Sequence, residues 1–328
     1  MSLGSVVRRR AFSSLLLTGA AVFAPARAQA PKGLLFGVIT TSTVEESRAA
    51  WEPFFDAMRQ ATGLDIHGLY SATYGEAIEA VVAGRAQLAW VSSRAALDCI
   101  DGANVEVFAQ MVDSGGSPGY RALIVTRSDS ALGSLEQLLS RPGIHGFAMG
   151  EALSTSGSVM PSYALFVPRG LKPETHFRPL LRGTHAQTLA AVLSGKVDAG
   201  TYNTEELTRL RARQPAQAAR LRVLWESALI PKDPLLWRKD LPLSVRTRVA
   251  QFLFAYGRTA EEKQRLRAMF DLAGFKPSSN QQLRFVLDIE DFRQRSQVLL
   301  DATLPEPQKS ERLLDLRDRY ARLAKALQ

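Results

Sequence analysis

The chain has 328 residues, 46% of them hydrophobic and 22% charged, and carries a formal net charge of +9. No Lys/Arg block and no basic stripe interleaved with aromatics supports a nucleic-acid role, whereas a modest positive balance suits capture of anions. Cys99 stands alone, which excludes a disulfide framework, and His67, His145, His176 and His185 show no spacing that reads as a zinc site.

In chain order, Arg8, Arg9 and Arg10 precede the apolar run SLLLTGAAVFA and the small-residue stretch APARAQA. This is the charge, hydrophobic-core and A-x-A order of a secretory signal. Residues 1–30 are therefore set apart from the fold, with cleavage expected after Ala30 or, as second choice, Ala28, and the protein is expected outside the cytoplasm. Arg9-Arg10 leaves both the general and the twin-arginine export routes open. The apolar run is roughly a dozen residues, shorter than the about 20 that a membrane span needs, and no cysteine follows it to carry a lipid. Loss of this segment takes the formal charge from +9 to +5, because it holds Arg8, Arg9, Arg10 and Arg27 and no acid.

About 298 residues remain, a length that suits two ordinary domains. LLFGVIT (34–40) reads as a strand. SRAAWEPFFDAMRQATG follows as a helix, with Trp51, Phe54, Phe55 and Met58 at helical spacing and Gly63 as its stop. LDIHGLY reads as a strand, YGEAIEAVVAG as a helix and AQLAWV as a strand. This β-α-β-α-β order with short connections predicts a mostly parallel sheet covered by helices, with Trp51 and Phe54 in its core. Cys99, in the apolar stretch RAALDCI, is expected to be a buried structural thiol.

A second alternating block begins after DSGGSPG (113–119). YRALIVT is a strand, SLEQLLS a short helix and HGFAMG a strand leading into STSGSVMPSYALFV, a helix. HAQTLAAVLSG is a helix, VDAGTYN a strand, TEELTRLRARQPAQAARL a charged helix and LRVLWES a strand before the Pro-rich LIPKDPLLWRKDLP. The blocks show no clear self-similarity, so no internal repeat is assigned. At STSG, the helix start leaves unpaired N–H groups and partial positive charge, Ser154, Thr155 and Ser156 add hydroxyls, and Gly157 permits close backbone approach. An ordinary N-cap and an anion cradle both remain open for this segment by itself.

The wider pattern resembles the substrate-binding proteins of phosphate, phosphite and phosphonate ABC transporters, and most closely their periplasmic phosphonate-binding members. The matching stretches are FGVITTST, WEPFFDAM, ATYGEAIEAVVAGRAQLAWV, GSPGYRALIV, STSGSVMPSY, HAQTLAAVLSGKVDAGTYNTE, LWESALIPKDPLLWRKDLP and YGRTAEEK. They occur in family order and span nearly the whole mature chain. The resemblance implies an α/β, type II periplasmic-binding-protein fold: two lobes, a ligand cleft and hinge strands. It implies a discontinuous first lobe, 31–118 plus 228–304, and a second lobe, 119–227, with 305–328 as a C-terminal amphipathic helix. It implies a periplasmic solute-binding protein that captures an organophosphonate and delivers it to a membrane permease, with no cofactor or metal.

Residue by residue, the resemblance implies that Ser154, Thr155 and Ser156 hold the phosphonate oxygens, that Tyr74 and Tyr120 wall the cleft and donate from their phenols, and that His185 adds a further donor. Glu205 and Asp233 match acids that hold a ligand ammonium in aminophosphonate-binding members, which favours an aminoalkylphosphonate. Their ordinary readings, a helix N-terminal acid and a turn acid before Pro234, stay open. The chain departs from the family pattern in VSSR after Trp90 and in Tyr202, so the substituent pocket is where the ligand is least specified. A phosphate or phosphite binder and a sensor component are the alternatives.

A hydrolase with Ser154 or Ser156 as nucleophile and His185 as base is the enzymatic alternative, but no G-x-S-x-G elbow or paired acid and base supports attack on a C–P bond, and the protein is read as a non-enzyme. Leu313, Leu316, Tyr320, Leu323 and Leu327 form an apolar stripe near the C-terminus. Docking on the chain's own lobe is the first expectation for it, and pairing of two subunits as a homodimer the second.

Overall fold

A computed structural model describes Met1 and residues 33–328. The segment assigned to an export signal, residues 1–30, lies outside the described residues apart from Met1. Among the described residues no helix is long and apolar enough to cross a membrane, and no three His, Cys, Asp or Glu side chains gather as metal ligands.

The first sheet grows from β1 (Leu34–Ile39), α1 (Val44–Thr62), β2 (Ile66–Ser71), α2 (Tyr74–Val82), β3 (Leu88–Trp90), α3 (Ser93–Gly102) and β4 (Val105–Asp113). β1 lies between β2 and β3, parallel to both. α1 starts at Thr43, whose hydroxyl takes the Glu46 amide while Glu46 takes the Thr43 amide, and stops at Gly63 with φ 63°. Its stripe of Trp51, Phe54, Phe55 and Met58 is wholly buried, with Trp51 packed on Phe36 of β1. A second capping box, Thr73 with Glu76, starts α2 and sets Tyr74 at its first position, just beyond the end of β2. α3 and β4 were not legible as elements: α3 begins at the Ser92 cap and buries Cys99, whose thiol is pushed up to about 12 by burial and then by Asp98.

β5 (Gly119–Tyr120) carries the chain to a second sheet. Its elements are β6 (Ala122–Arg127), α4 (Leu135–Leu139), β7 (Phe147–Gly150), a helical run over 155–169, α5 (Pro173–His176), β8 (Leu180–Gly183), α6 (His185–Leu193), β9 (Ala199–Asn203), α7 (Thr204–Arg213), α8 (Pro215–Ala218) and β10 (Leu221–Glu226). The order is β10-β6-β9-β7-β8, with β7 parallel to β8 and β9 and β6 antiparallel to β9 and β10. The single charged helix expected over 204–221 is two helices. Pro215 holds the first position of α8, and Gln214 before it turns out of helical geometry, as a residue preceding proline tends to do.

The chain returns through β11 (Ile230–Pro231), which pairs antiparallel with β5 to make a two-stranded ribbon between the sheets. Gly119 is required there, because a Cβ would lie 2.1 Å from the Ile230 carbonyl oxygen. β12 (Pro234–Arg238), α9 (Leu243–Ala255), α10 (Ala260–Phe270) and β13 (Leu272–Pro277) complete the first sheet in the order β13-β4-β12-β3-β1-β2. β12 runs antiparallel to β3 and β4, and β13 antiparallel to β4, so the sheet is mixed rather than mostly parallel. The cause is the crossing: β4 leaves at its C-terminal end and β12 re-enters at that same end, so it must run the other way. The Pro-rich LIPKDPLLWRKDLP accommodates this strand because Pro234 is its first residue, where a missing N–H is tolerated.

α11 (Arg284–Leu299) and α12 (Glu306–Ala326) finish the chain. Ile289 of α11 packs with Tyr120, Val159, Met160 and Ile230 behind the ribbon. The α12 stripe faces its own chain: Tyr320, Leu323 and Leu327 are buried in the core cluster, and Arg319 pairs with Asp98 and Asp101 of α3. The apolar surface that the homodimer reading requires is thus largely consumed within the chain.

Candidate ligand-binding site

The cradle begins where β7 meets the helical run. Ser154 is the cap: its hydroxyl oxygen accepts the Gly157 amide at 3.0 Å. The amides of Thr155 and Ser156 occupy the first two helical positions, which no intrahelical carbonyl can reach. The run is π-wound over Thr155–Val159 and Ser162–Phe166, with Pro161 between them. Such winding recurs at functional sites. Gly157 is needed for a reason other than ligand approach: a Cβ on it would lie 2.9 Å from the Gly150 Cα, and one on Gly150 would lie 2.6 Å from the Gly157 Cα, so the two glycines seat the helix start against the end of β7.

Each hydroxyl of the cradle already accepts a bond, so its proton can turn toward a nearby acceptor, which for Ser156 includes His185 Nε2 at 3.3 Å. Ser154 accepts from Gly157, Thr155 from the Arg94 amide at 3.0 Å, and Ser156 from Asn203 Nδ2 at 3.4 Å. The Asn203 orientation is fixed because its Oδ1 accepts the Glu206 amide at 2.8 Å as the cap of α7. Asn203 Nδ2 therefore points at His185 Nε2, 3.2 Å away, and makes that nitrogen an acceptor with the ring proton on Nδ1. His185 Nδ1 is buried and has no hydrogen-bond partner among the described residues. Burial lowers the His185 pKa against the attraction of Glu206, so the ring is held neutral.

All eight residues singled out from the sequence border one cavity: Ser154, Thr155 and Ser156 with His185 and Glu205 from the second sheet's side, and Tyr74, Tyr120 and Asp233 from the first lobe and the ribbon. Burial raises the pKa of both tyrosines, and Asp233 raises them further, so both phenols stay protonated as donors. The lobes are bonded directly at the rim. Ser92 Oγ donates to the Leu153 carbonyl at 3.0 Å and the Tyr74 amide donates to Glu151 at 3.2 Å. Ser92 belongs to the VSSR departure, and it is spent on joining the lobes and capping α3.

The two acids differ. Asp233 Oδ1 accepts the Ser93 amide at 3.2 Å and the Tyr120 phenol at 3.3 Å, and no cationic side chain pairs with it among the described residues. The residue keeps part of its surface in the cleft, but protein surrounds the carboxylate. Desolvation and then repulsion from Glu205 push its pKa up to about 8. Glu205 is paired: Lys232 Nζ donates to it and, at 3.0 Å, to Asp113. Burial alone would depress the Lys232 ammonium, but Glu205 and Asp113 outweigh it and hold its pKa above the ordinary lysine value.

Sequence reasoning missed Asn203, Glu206, Arg209, Trp90 and Phe270, which line the same cavity. Trp90 and Phe270 pack with ring centroids 4.7 Å apart, and the Arg209 guanidinium lies 4.6 Å from the Phe270 ring, closing the wall between α7 and α10. The signal for Asn203 was present, since Asn directly before TEEL is an N-cap pattern. Ser156 Oγ and His185 Nε2 are 3.3 Å apart, the separation of a nucleophile and its base. The hydrolase alternative lacks its third member, because among the described residues no carboxylate orients the ring through Nδ1.

Comparison with known proteins agrees with this geometry. The family model described as "ABC transporter, phosphonate, periplasmic substrate-binding protein" matches residues 36–283. The chain is 31% identical over 305 residues to the phosphonates-binding periplasmic protein of Escherichia coli K12, covering 93% of this chain and 89% of that protein. It superposes with a TM-score of 0.83 and 34% identity on a binding protein component of an ABC phosphonate transporter from Pseudomonas aeruginosa, covering 89% of this chain and 97% of that one. A Prochlorococcus marinus protein solved in complex with methylphosphonate shares the fold, with a TM-score of 0.71 at 20% identity over 79% of this chain and 97% of that one. With two α/β lobes, a ribbon hinge and a polar cavity between them, the chain belongs to the periplasmic substrate-binding proteins of phosphonate ABC transporters.

Proposed function

We propose that the protein captures an aminoalkylphosphonate between its lobes and delivers it, as a periplasmic carrier freed of its signal peptide, to an ABC permease. The phosphonate group lies at the cradle, where the first amides of the helical run and the hydroxyls of Ser154, Thr155 and Ser156 donate to its oxygens, Tyr74 and the His185 Nδ1 donate from around it, and Tyr120, whose proton goes to Asp233, walls the cleft. These are mostly neutral donors in a buried site, where preorganised hydrogen bonds to an anion are strong.

The observation that carries the amine is Asp233. A desolvated carboxyl with no cationic partner, pushed up to about 8, is the wrong neighbour for a phosphonate and the right one for an ammonium at the ligand's far end. Glu205 borders the same space and supplies a second, shared negative charge. The lobes are assigned as 31–118 with 228–304, and 119–227, with 305–328 as the C-terminal helix. Binding stabilises the closed state through contacts that span both lobes. Calorimetry of 2-aminoethylphosphonate against methylphosphonate, in the parent and in Asp233→Asn, tests the reading. The preference for the amine should collapse in the variant, and an unchanged preference would remove Asp233 from the amine pocket.

A further inference from the structure

Lys232 is 1% exposed and lies between β11 and β12, at the mouth of the ribbon. Its backbone is pinned, since Gln110 Nε2 and Gln282 Nε2 donate to its carbonyl at 3.2 and 3.1 Å. Its ammonium bridges Asp113 at the end of β4 and Glu205 at the start of α7, so it joins a first-lobe strand to a second-lobe helix. Glu205 borders the ligand cavity, whereas Lys232 and Asp113 do not; they line an adjoining recess that shares Glu205 and Tyr120 with the cavity, beside Ser117 and Arg121. A buried ammonium of the chain itself thus stands directly behind one of the two carboxylates that face the ligand.

We propose that Lys232 is a specificity-determining residue that sets how strongly the cavity selects a ligand amine. This rests on the reading of Glu205 and Asp233 as the amine end. Lys232 never touches the ligand: it cancels much of the Glu205 charge and leaves Asp233 as the principal unpaired acid. Its positive charge also repels a ligand ammonium through Glu205, over a short distance in a medium that screens poorly. The chain therefore tolerates phosphonates without an amine better than a cavity with two free carboxylates does. The ammonium shared with Asp113 is the adjustable element, because Asp113 competes with Glu205 for it.

The test compares two ligands that share the phosphonate and differ in the amine, 2-aminoethylphosphonate and methylphosphonate, by calorimetry at neutral pH. Lys232→Gln is expected to raise the affinity ratio of the first to the second about tenfold over the parent, a change of about 1.4 kcal/mol. The double variant Lys232→Gln with Asp113→Asn keeps the net charge of the trio and avoids stranding a second half-buried carboxylate, so it serves if the single variant folds poorly; the same rise is expected. Adding Glu205→Gln to the double variant should abolish the gain. A parent that binds both ligands, with a ratio unchanged within about twofold in the double variant, overturns this role for Lys232 alone. A parent that binds neither overturns the reading of the cavity and the inference with it.

Discussion

The Thr155 hydroxyl, in the cradle of the second lobe, accepts the Arg94 amide of the first at 3.0 Å. One side chain therefore caps a helix in the opposite lobe while keeping its proton for an anion, which makes lobe closure and ligand binding parts of one network. Thr155→Val keeps the shape, strands the amide and removes the donor. It should weaken phosphonate binding by about 1–3 kcal/mol, roughly five- to 150-fold, with Thr155→Ser close to the parent. Calorimetry on both variants checks this.

The Asp233 carboxyl makes stability depend on pH. Its folded pKa, about 8, is above the ordinary 3.8, so the native state binds more protons than the unfolded chain between those values. The stabilisation it gives is fully present below pH 3.8 and is lost as pH rises through about 8. In ligand-free protein, Asp233→Asn should flatten the fall in denaturation midpoint between pH 5 and 9. Capture of an ammonium ligand at pH 7 should also release a proton, seen as a binding heat that varies with the ionisation enthalpy of the buffer. Asp233→Asn should lose that release.

Glu290 and Arg94 form a buried ion pair behind the cleft, 2.8 Å apart with Glu290 wholly unexposed, and Arg293 and Gln294 also bond the carboxylate. Arg94 keeps Asp98 as a second partner. Glu290→Ala should cost about 3 kcal/mol by urea denaturation, the low end for breaking a buried pair. A cost below about 1 kcal/mol would mean that Asp98 alone compensates the guanidinium.

Gly150 offers a steric test of the cradle's seating. A Cβ placed 2.6 Å from the Gly157 Cα must push the helix start away from β7. Gly150→Ala should destabilise the fold by about 1–3 kcal/mol, as overpacking does, and weaken phosphonate binding. Stability and affinity equal to the parent would show that the two glycines do not set the cradle's position.

What was legible in the sequence follows from how local each signal is. α1 and the Ser154 cap could be read because their residues lie within a turn or two of one another, and the apolar stripe of α1 repeats often enough to fix its face. Tyr74, Tyr120 and His185 are ordinary residues in isolation and gained a role only through resemblance to a family, since they meet through the crossing of two lobes. The antiparallel course of β12 was hidden because it depends on which end of β4 the chain leaves. Lys232 is the clearest case. Its partner Asp113 is 119 residues away and Glu205 is 27, so nothing in IPKDP announces a charge that neutralises the site.

The most direct test of the account is calorimetry of the mature protein with 2-aminoethylphosphonate, methylphosphonate, phosphate and phosphite under one set of conditions. The account predicts one-to-one binding without turnover, tightest for 2-aminoethylphosphonate, weaker for methylphosphonate and weakest for the two inorganic anions. Equal affinity for all four would contradict the amine role of Asp233 and Glu205, and binding confined to phosphate or phosphite would contradict the organophosphonate reading itself.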